Sequence, residues 1–129
     1  MKHVGKIIEP PIGNIRDHER RTAKAIAQAG YVVEFTPTSE LHTRKSPDVV
    51  IDGIHWEMKS PTSSNMGQIE RNIKRASKQS RYIIIDSQRI KNLPDKKIED
   101  YLRKCVRNRK LVKKLWFINQ NREIIDVKT

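Results

Sequence analysis

The 129-residue sequence predicts a single α/β domain, residues 1–129, built on one mixed β-sheet flanked by helices. Three observations carry that reading. Apolar residues recur at three-four spacing in three segments, and short β-branched or aromatic runs lie between those segments. One such run is broken by Asp52-Gly53, a pair that reads as a two-residue hairpin turn. Strand–helix–strand units combined with a hairpin give a sheet with both parallel and antiparallel neighbours.

Residues 1–14 carry Pro10, Pro11 and Gly13 and read as an irregular lead-in. Asn14 is a good N-cap, and Asp17 suits the positive end of a helix dipole. A first helix is therefore expected from there to Ala29, with Gly30 as its stop. Its core-facing stripe is Ile15, Thr22, Ala23, Ile26 and Ala29, and Glu19 falls on that stripe. A carboxylate in such a place needs a partner. Residues 31–36 read as a strand, and Pro37 to Lys45 as a polar loop facing the ligand.

The Asp48–Lys59 hairpin follows, with Pro61 ending its second strand. From about Asn65 to Ser80 a second helix turns Met66, Ile69, Ile73 and Ala76 inward and Arg71, Lys74, Arg75 and Lys78 outward. Tyr82 to Ile85 is a continuous apolar run suited to a strand buried on both faces. A basic extension over about 94–127 completes the chain. It comprises a helix from about Pro94 to Arg109 with Ile98, Leu102 and Cys105 inward, then a hairpin of Leu115–Ile118 and Glu123–Val127 turning through Asn119–Arg122.

Composition narrows the function. Twenty-seven Lys and Arg against fifteen Asp and Glu leave a net charge of +12, and the pI is about 10.1. That is the electrostatic footprint of a nucleic-acid binder, and the mean hydropathy of −0.74 belongs to a water-exposed chain. Residues Lys96–Lys114 alone hold nine basic residues and two acidic ones. One cysteine, Cys105, excludes a disulfide framework and a thiolate-rich zinc site. No stretch approaches the roughly 18 apolar residues of a membrane span, and the N-terminus lacks a signal-peptide pattern. The expected place of action is the cytoplasm, reached directly or by delivery as part of a larger secreted protein.

The hairpin carries the chemistry. With Asp52 and Gly53 as the loop, Ile51 faces Ile54, Val50 faces His55, Val49 faces Trp56, and Asp48 lies opposite Glu57. Opposed side chains have Cβ atoms roughly 5 Å apart, and Lys59 shares the face of Glu57 because side chains alternate. The expectation is a wet face of Asp48, Glu57 and Lys59 backed by a dry one of Ile54, Trp56 and Met58. Two opposed carboxylates repel unless something cationic lies between them. A divalent cation, Mg²⁺ or Mn²⁺, held by Asp48, Glu57 and the Met58 carbonyl, meets that need with hard oxygen donors. Such an ion activates a phosphodiester and its attacking water, while Lys59 orients the water or neutralises phosphoryl charge.

Plainer readings stand beside these. Glu19 is a third acid of the site, a possible metal ligand, or simply a dipole-favoured helix-start carboxylate. Gln79 and Ser80 end the second helix, where Gln79 is an accessory candidate or a plain terminus. His55, Ser60 and Thr62, with Ser63 and Ser64, are substrate contacts or solvated surface, and His18 neighbours Glu19. Arg71, Lys74, Arg75 and Lys78 are phosphate contacts or a solvated face. Trp56 and Trp116 read as core.

Pro47-Asp48 followed by Glu57-x-Lys59, with Glu19 on the first helix, resembles the PD-(D/E)xK nuclease superfamily. The order of elements over residues 14–87 looks like that superfamily's restriction-endonuclease-like αβββαβ core. The run Pro47-Asp48, Asp52-Gly53, Trp56-Glu57-x-Lys59-Ser60-Pro61 and Lys78-Gln79-Ser80 is similar to the C-terminal tRNase toxin domain of CdiA-type contact-dependent growth-inhibition proteins. That resemblance implies a metal-dependent endonuclease cleaving tRNA, restrained by a cognate immunity protein. Its active site would be Glu19, Asp48, Glu57 and Lys59. A DNA endonuclease on the same fold and a non-catalytic nucleic-acid-binding module are the alternatives, since no residue here reads a 2′-hydroxyl.

Overall fold

Asp52 and Gly53 take φ angles of 51° and 78°, the two left-handed residues that a type I′ turn needs. They join β3 (Val49–Ile51) to β4 (Ile54–Lys59), and the register is Ile51 to Ile54, Val50 to His55 and Val49 to Trp56, as the sequence predicts. The computed structural model describes residues 5–9, 15–36 and 49–128. Asp48, Asn14 and the Pro37–Lys45 segment lie outside the described residues.

Around that hairpin, β1 (Ile7–Ile8), α1 (Asp17–Gln28) and β2 (Val33–Phe35) precede it. After it come α2 (Met66–Ala76), β5 (Tyr82–Asp86), α3 (Asp95–Arg107), β6 (Lys114–Ile118) and β7 (Ile124–Lys128). The described strands form one mixed sheet in the order β1 to β7. Pairing is parallel for β1–β2, β4–β5 and β5–β6, and antiparallel for β2–β3, β3–β4 and β6–β7. The α/β expectation with a mixed sheet flanked by helices holds, and so do the final helix and hairpin.

Two apolar layers hold it together. On one face, Ile69, Ile73 and Ala76 of α2 and Ile98, Leu102 and Val106 of α3 pack on Ile83, Ile85, Leu115 and Phe117. On the other, Ala23 and Ile26 of α1 cover Val33, Phe35, Val49, Ile51, Met58, Ile84 and Ile118. Ile83, Ile84 and Ile85 have no exposure at all, confirming a strand covered on both faces. Each such side chain contributes on the order of 1.5–3 kcal/mol of burial. Trp56 and Trp116 are core residues, their ring centroids 4.2 Å apart, with Tyr31 and Tyr82 packed at either end of the pair.

Several local expectations are corrected. Part of the supposed irregular lead-in is β1: two residues are too short for a period-two signal, and their strand character comes from pairing with β2. The N-cap of α1 is Arg16, and Ala29 is an exposed C-cap. The second helix ends at Ala76, where the chain tightens into a turn that pairs Gln79 N–H and Ser80 N–H with the Ala76 carbonyl. In α3 the fully buried position beside Leu102 is Val106; Cys105 is half-buried, and burial pushes its thiol pKa up.

β1 is seated by backbone contact. Gly5 N–H donates to Ala27 O at 2.8 Å, and Val33 N–H to Lys6 O at 2.9 Å. A Cβ on Gly5 would stand 1.8 Å from the carbonyl oxygen of Tyr31. Gly5→Ala should therefore force the backbone apart and lower the free energy of urea unfolding by about 1–3 kcal/mol. An unchanged unfolding midpoint would show that Gly5 does not lie against Tyr31.

Candidate active site

β4 runs through the middle of the sheet, and its pairing with β5 decides the environment of Glu57. Glu57 lies across from Ile83 and Lys59 across from Ile85, on the face covered by α2 and α3. Glu57 is only 4% exposed, and Lys59 Nζ stands 3.3 Å from Glu57 Oε2. The expected wet face is thus a covered one: from Trp56 to Met58 both sides of β4 are buried. A hairpin alone would leave Glu57 in water, but the parallel neighbour β5 and the helix crossing over it bury the carboxylate. A charge so placed is costly unless paired, and Lys59 supplies the pair.

The other candidates divide by location. Glu19 is half-buried in the first turn of α1, and its Oε1 accepts the Arg16 N–H at 2.8 Å, the capping role of a third helical residue. His55 is exposed at the start of β4, and its carbonyl accepts from Ser80 Oγ at 2.7 Å, which itself accepts from Tyr82 N–H. Gln79 and Ser80 therefore sit at the amino end of β4 and β5. Lys59 is four residues further along β4, about 13 Å of extended strand away. Arg71, Lys74, Arg75 and Lys78 are all exposed, as expected of an outer face.

The carboxyl ends of β4 and β5 hold what sequence reading passed over. Asp86 closes β5 with no exposure, and Arg122, from the β6–β7 turn, grips it with Nη1 to Oδ1 at 2.7 Å and Nη2 to Oδ2 at 2.8 Å. Thr22 Oγ1 of α1 donates to Oδ2 at 2.6 Å, and Gln88 N–H donates to Oδ1 at 2.9 Å. Arg122 reaches further, to the carbonyl of Arg21. The available signal was Asp86 itself, an acid at the end of an otherwise apolar run. Arg122 adopts a φ of 63° in its turn, a position no spacing rule singles out.

Next to this clamp lies an open cavity of about 700 Å³. It is lined by Arg21 of α1, by Thr62 and Ser64 after β4, and by Gln88, Arg89 and Lys91 after β5. Arg89 Nε and Nη2 both donate to the carbonyl of Ser60, the residue following Lys59, and Arg21 Nε donates to Gln88 Oε1 at 2.7 Å. Ser60 and Thr62 thus border a cationic cleft that begins where Lys59 ends. Partial burial, then the nearby Arg89, lowers the pKa of His18.

Residues 45–124 match the family model of the contact-dependent growth inhibition CdiA C-terminal domain. The chain belongs to that family. This CdiA C-terminal domain also resembles a solved chain in the CdiA-CT/CdiI toxin and immunity complex from Burkholderia pseudomallei. There the TM-score is 0.70 and the identity 20%, over 97% of this chain and 100% of that one. No curated protein matches it. The described residues contain no helix long and apolar enough to cross a membrane.

The Asp86 clamp offers a direct test of how the family member holds its cleft. Asp86→Ala strands the Arg122 guanidinium and should cost about 3–5 kcal/mol in chemical denaturation. A loss below about 1 kcal/mol would show that the pair does not organise this end of the sheet.

Proposed function

We propose that this CdiA C-terminal domain is a toxin module: a metal-dependent endonuclease hydrolysing phosphodiester bonds, with tRNA as the substrate. The observation that carries the reading is the Glu57–Lys59 ion pair on the central strand, its carboxylate buried and its ammonium partly exposed, with Thr62 and Ser64 of a cationic cleft following in the chain. A buried carboxylate paired with a partly buried ammonium at the carboxyl end of a strand gains little over apolar residues as a purely structural device. The pair gains a purpose if a phosphate enters beside it. The net charge of +12 and the family membership support a polyanionic substrate, and the choice of RNA over DNA rests on the resemblance to tRNase toxin domains.

The donors available suit a hard divalent cation. Glu57 brings carboxylate oxygens, the cysteine of the chain is away in α3, and among the described residues no three His, Cys, Asp or Glu side chains converge. In the proposal Glu57, the Met58 carbonyl and Asp48 hold Mg²⁺ or Mn²⁺; Asp48 is included on chain order, since it precedes Val49, the partner of Trp56. A cation there supplies Lewis-acid polarisation of a phosphoryl oxygen and a lowered pKa for nearby water. Lys59 Nζ, already 3.3 Å from Glu57, offsets the negative charge that grows on the phosphoryl oxygens. The water oxygen bonds to phosphorus as the bond to the leaving sugar oxygen breaks, and that oxygen takes up a proton. Glu19 holds the Arg16 N–H through Oε1, which leaves Oε2 for an outer-acid role.

The module would act in the cytoplasm of a target cell after delivery as part of a larger protein. A cognate immunity protein, complementary to a +12 surface, would block it.

Purified protein incubated with total RNA, tRNA or plasmid DNA should cleave tRNA with Mg²⁺ and not with EDTA. Glu57→Gln and Lys59→Ala should each slow cleavage on the order of 100-fold or more while the far-ultraviolet circular dichroism stays native. Full activity in both variants, or cleavage in EDTA, would remove this site from the chemistry.

A further inference from the structure

Among the described residues, the lining of the cavity at the carboxyl ends of β4 and β5 holds three cations and no carboxylate. Among the described residues, Arg21, Arg89 and Lys91 make no ion pair, whereas Arg103, Arg109, Arg122 and Lys96 elsewhere are all matched to acids. Like charges gathered without a counter-charge repel, and two of these are held in place. Ser60 O fixes the Arg89 fork, and Gln88 Oε1 fixes Arg21 by its Nε. Pinned guanidinium groups lose little further freedom on binding, and their remaining Nη N–H groups can still donate to phosphate. Thr62 and Ser64 add hydroxyl groups, and no aromatic ring lines the space on which a base could stack.

We infer that this cavity is a polynucleotide-backbone subsite, in which Arg21, Arg89 and Lys91 bind the phosphodiester next to the one that is cut. The location follows from the chain: Ser60, held by Arg89, directly succeeds Lys59. A site built from guanidinium, ammonium and hydroxyl groups reads charge and spacing and no base edge, so the subsite is indifferent to sequence and fixes register along the strand. The inference rests on the proposed phosphodiester hydrolysis for what happens next door, and on the cavity alone for binding.

The test is fluorescence anisotropy of labelled tRNA in EDTA between 50 and 200 mM NaCl. Arg21→Gln/Lys91→Gln should weaken binding roughly tenfold or more at 100 mM salt and lower the slope of log affinity against log salt by about one to two. Lys97→Gln/Lys104→Gln, which removes the same charge from exposed α3 positions, should change both quantities less. In Mg²⁺ the first pair should raise KM with kcat largely kept, and its unfolding midpoint should match the parent protein. Equal losses in the two pairs, unchanged binding in the first, or a fall in kcat at constant KM would overturn the subsite. If the parent protein binds tRNA through these residues yet never cuts it, the hydrolysis reading fails and the subsite stands.

Discussion

One buried carboxylate organises the working end of this molecule. Asp86 accepts from Arg122, Thr22 and the Gln88 N–H, so a single residue ties β5 to α1, to the β6–β7 turn and to the segment after β5. These contacts join parts of the chain up to a hundred residues apart in sequence. Arg21 and Gln88, which line the cleft, are neighbours of residues in the clamp. Charge-assisted bonds of this kind are about twice as strong as neutral ones, and inside the protein they are little screened by salt. The cleft is rigid on that side because Asp86 is satisfied on both oxygens.

Glu57 meets burial differently. Its ion pair with Lys59 lies on the same strand two residues apart. Replacing such a pair with apolar residues is often neutral or stabilising, whereas removing one partner is harmful. The same reasoning favours Glu57→Gln over Glu57→Ala as a probe, because the amide keeps the volume and avoids stranding a carboxylate-sized void.

The sequence was legible where local rules decide. Asp52-Gly53 fixed the hairpin register residue for residue, the second helix begins beside Asn65 as its spacing predicts, and the Tyr82 run became a strand covered on both faces. It was illegible where a distant partner decides. Nothing near Ile7 announces a strand that exists because β2 lies beside it. The exposure of Glu57 depended on β5 and the α2 crossover, which alternation along one hairpin cannot reveal. The cleft draws Arg21, Arg89 and Lys91 from segments that no motif links. Glu19 was correctly placed on its helix, whereas Gln79 falls in the turn after α2, whose end at Ala76 and approach to the start of β5 are set by the tertiary structure.

Charge distribution then separates surface that is merely basic from surface that is set to bind. On α3, Arg103 and Lys96 are balanced by Glu99 and Asp100 one turn away, and such exposed pairs are worth only a few tenths of a kcal/mol. Arg109 is matched to Glu70 across the α2–α3 contact. Cations without an acid partner lie on the outer face of α2, at exposed α3 positions such as Lys97, Lys104 and Arg107, and in the cleft beyond Lys59. The α2 row is exposed, so it attracts a polyanion over the Debye length of about 10 Å at 0.1 M salt and holds it weakly. The cleft has anchored guanidinium groups, one of them held by the carbonyl of Ser60, the residue after Lys59. A long anionic strand is thus drawn in by the first and positioned by the second, which brings a phosphate to Lys59 without any base being read.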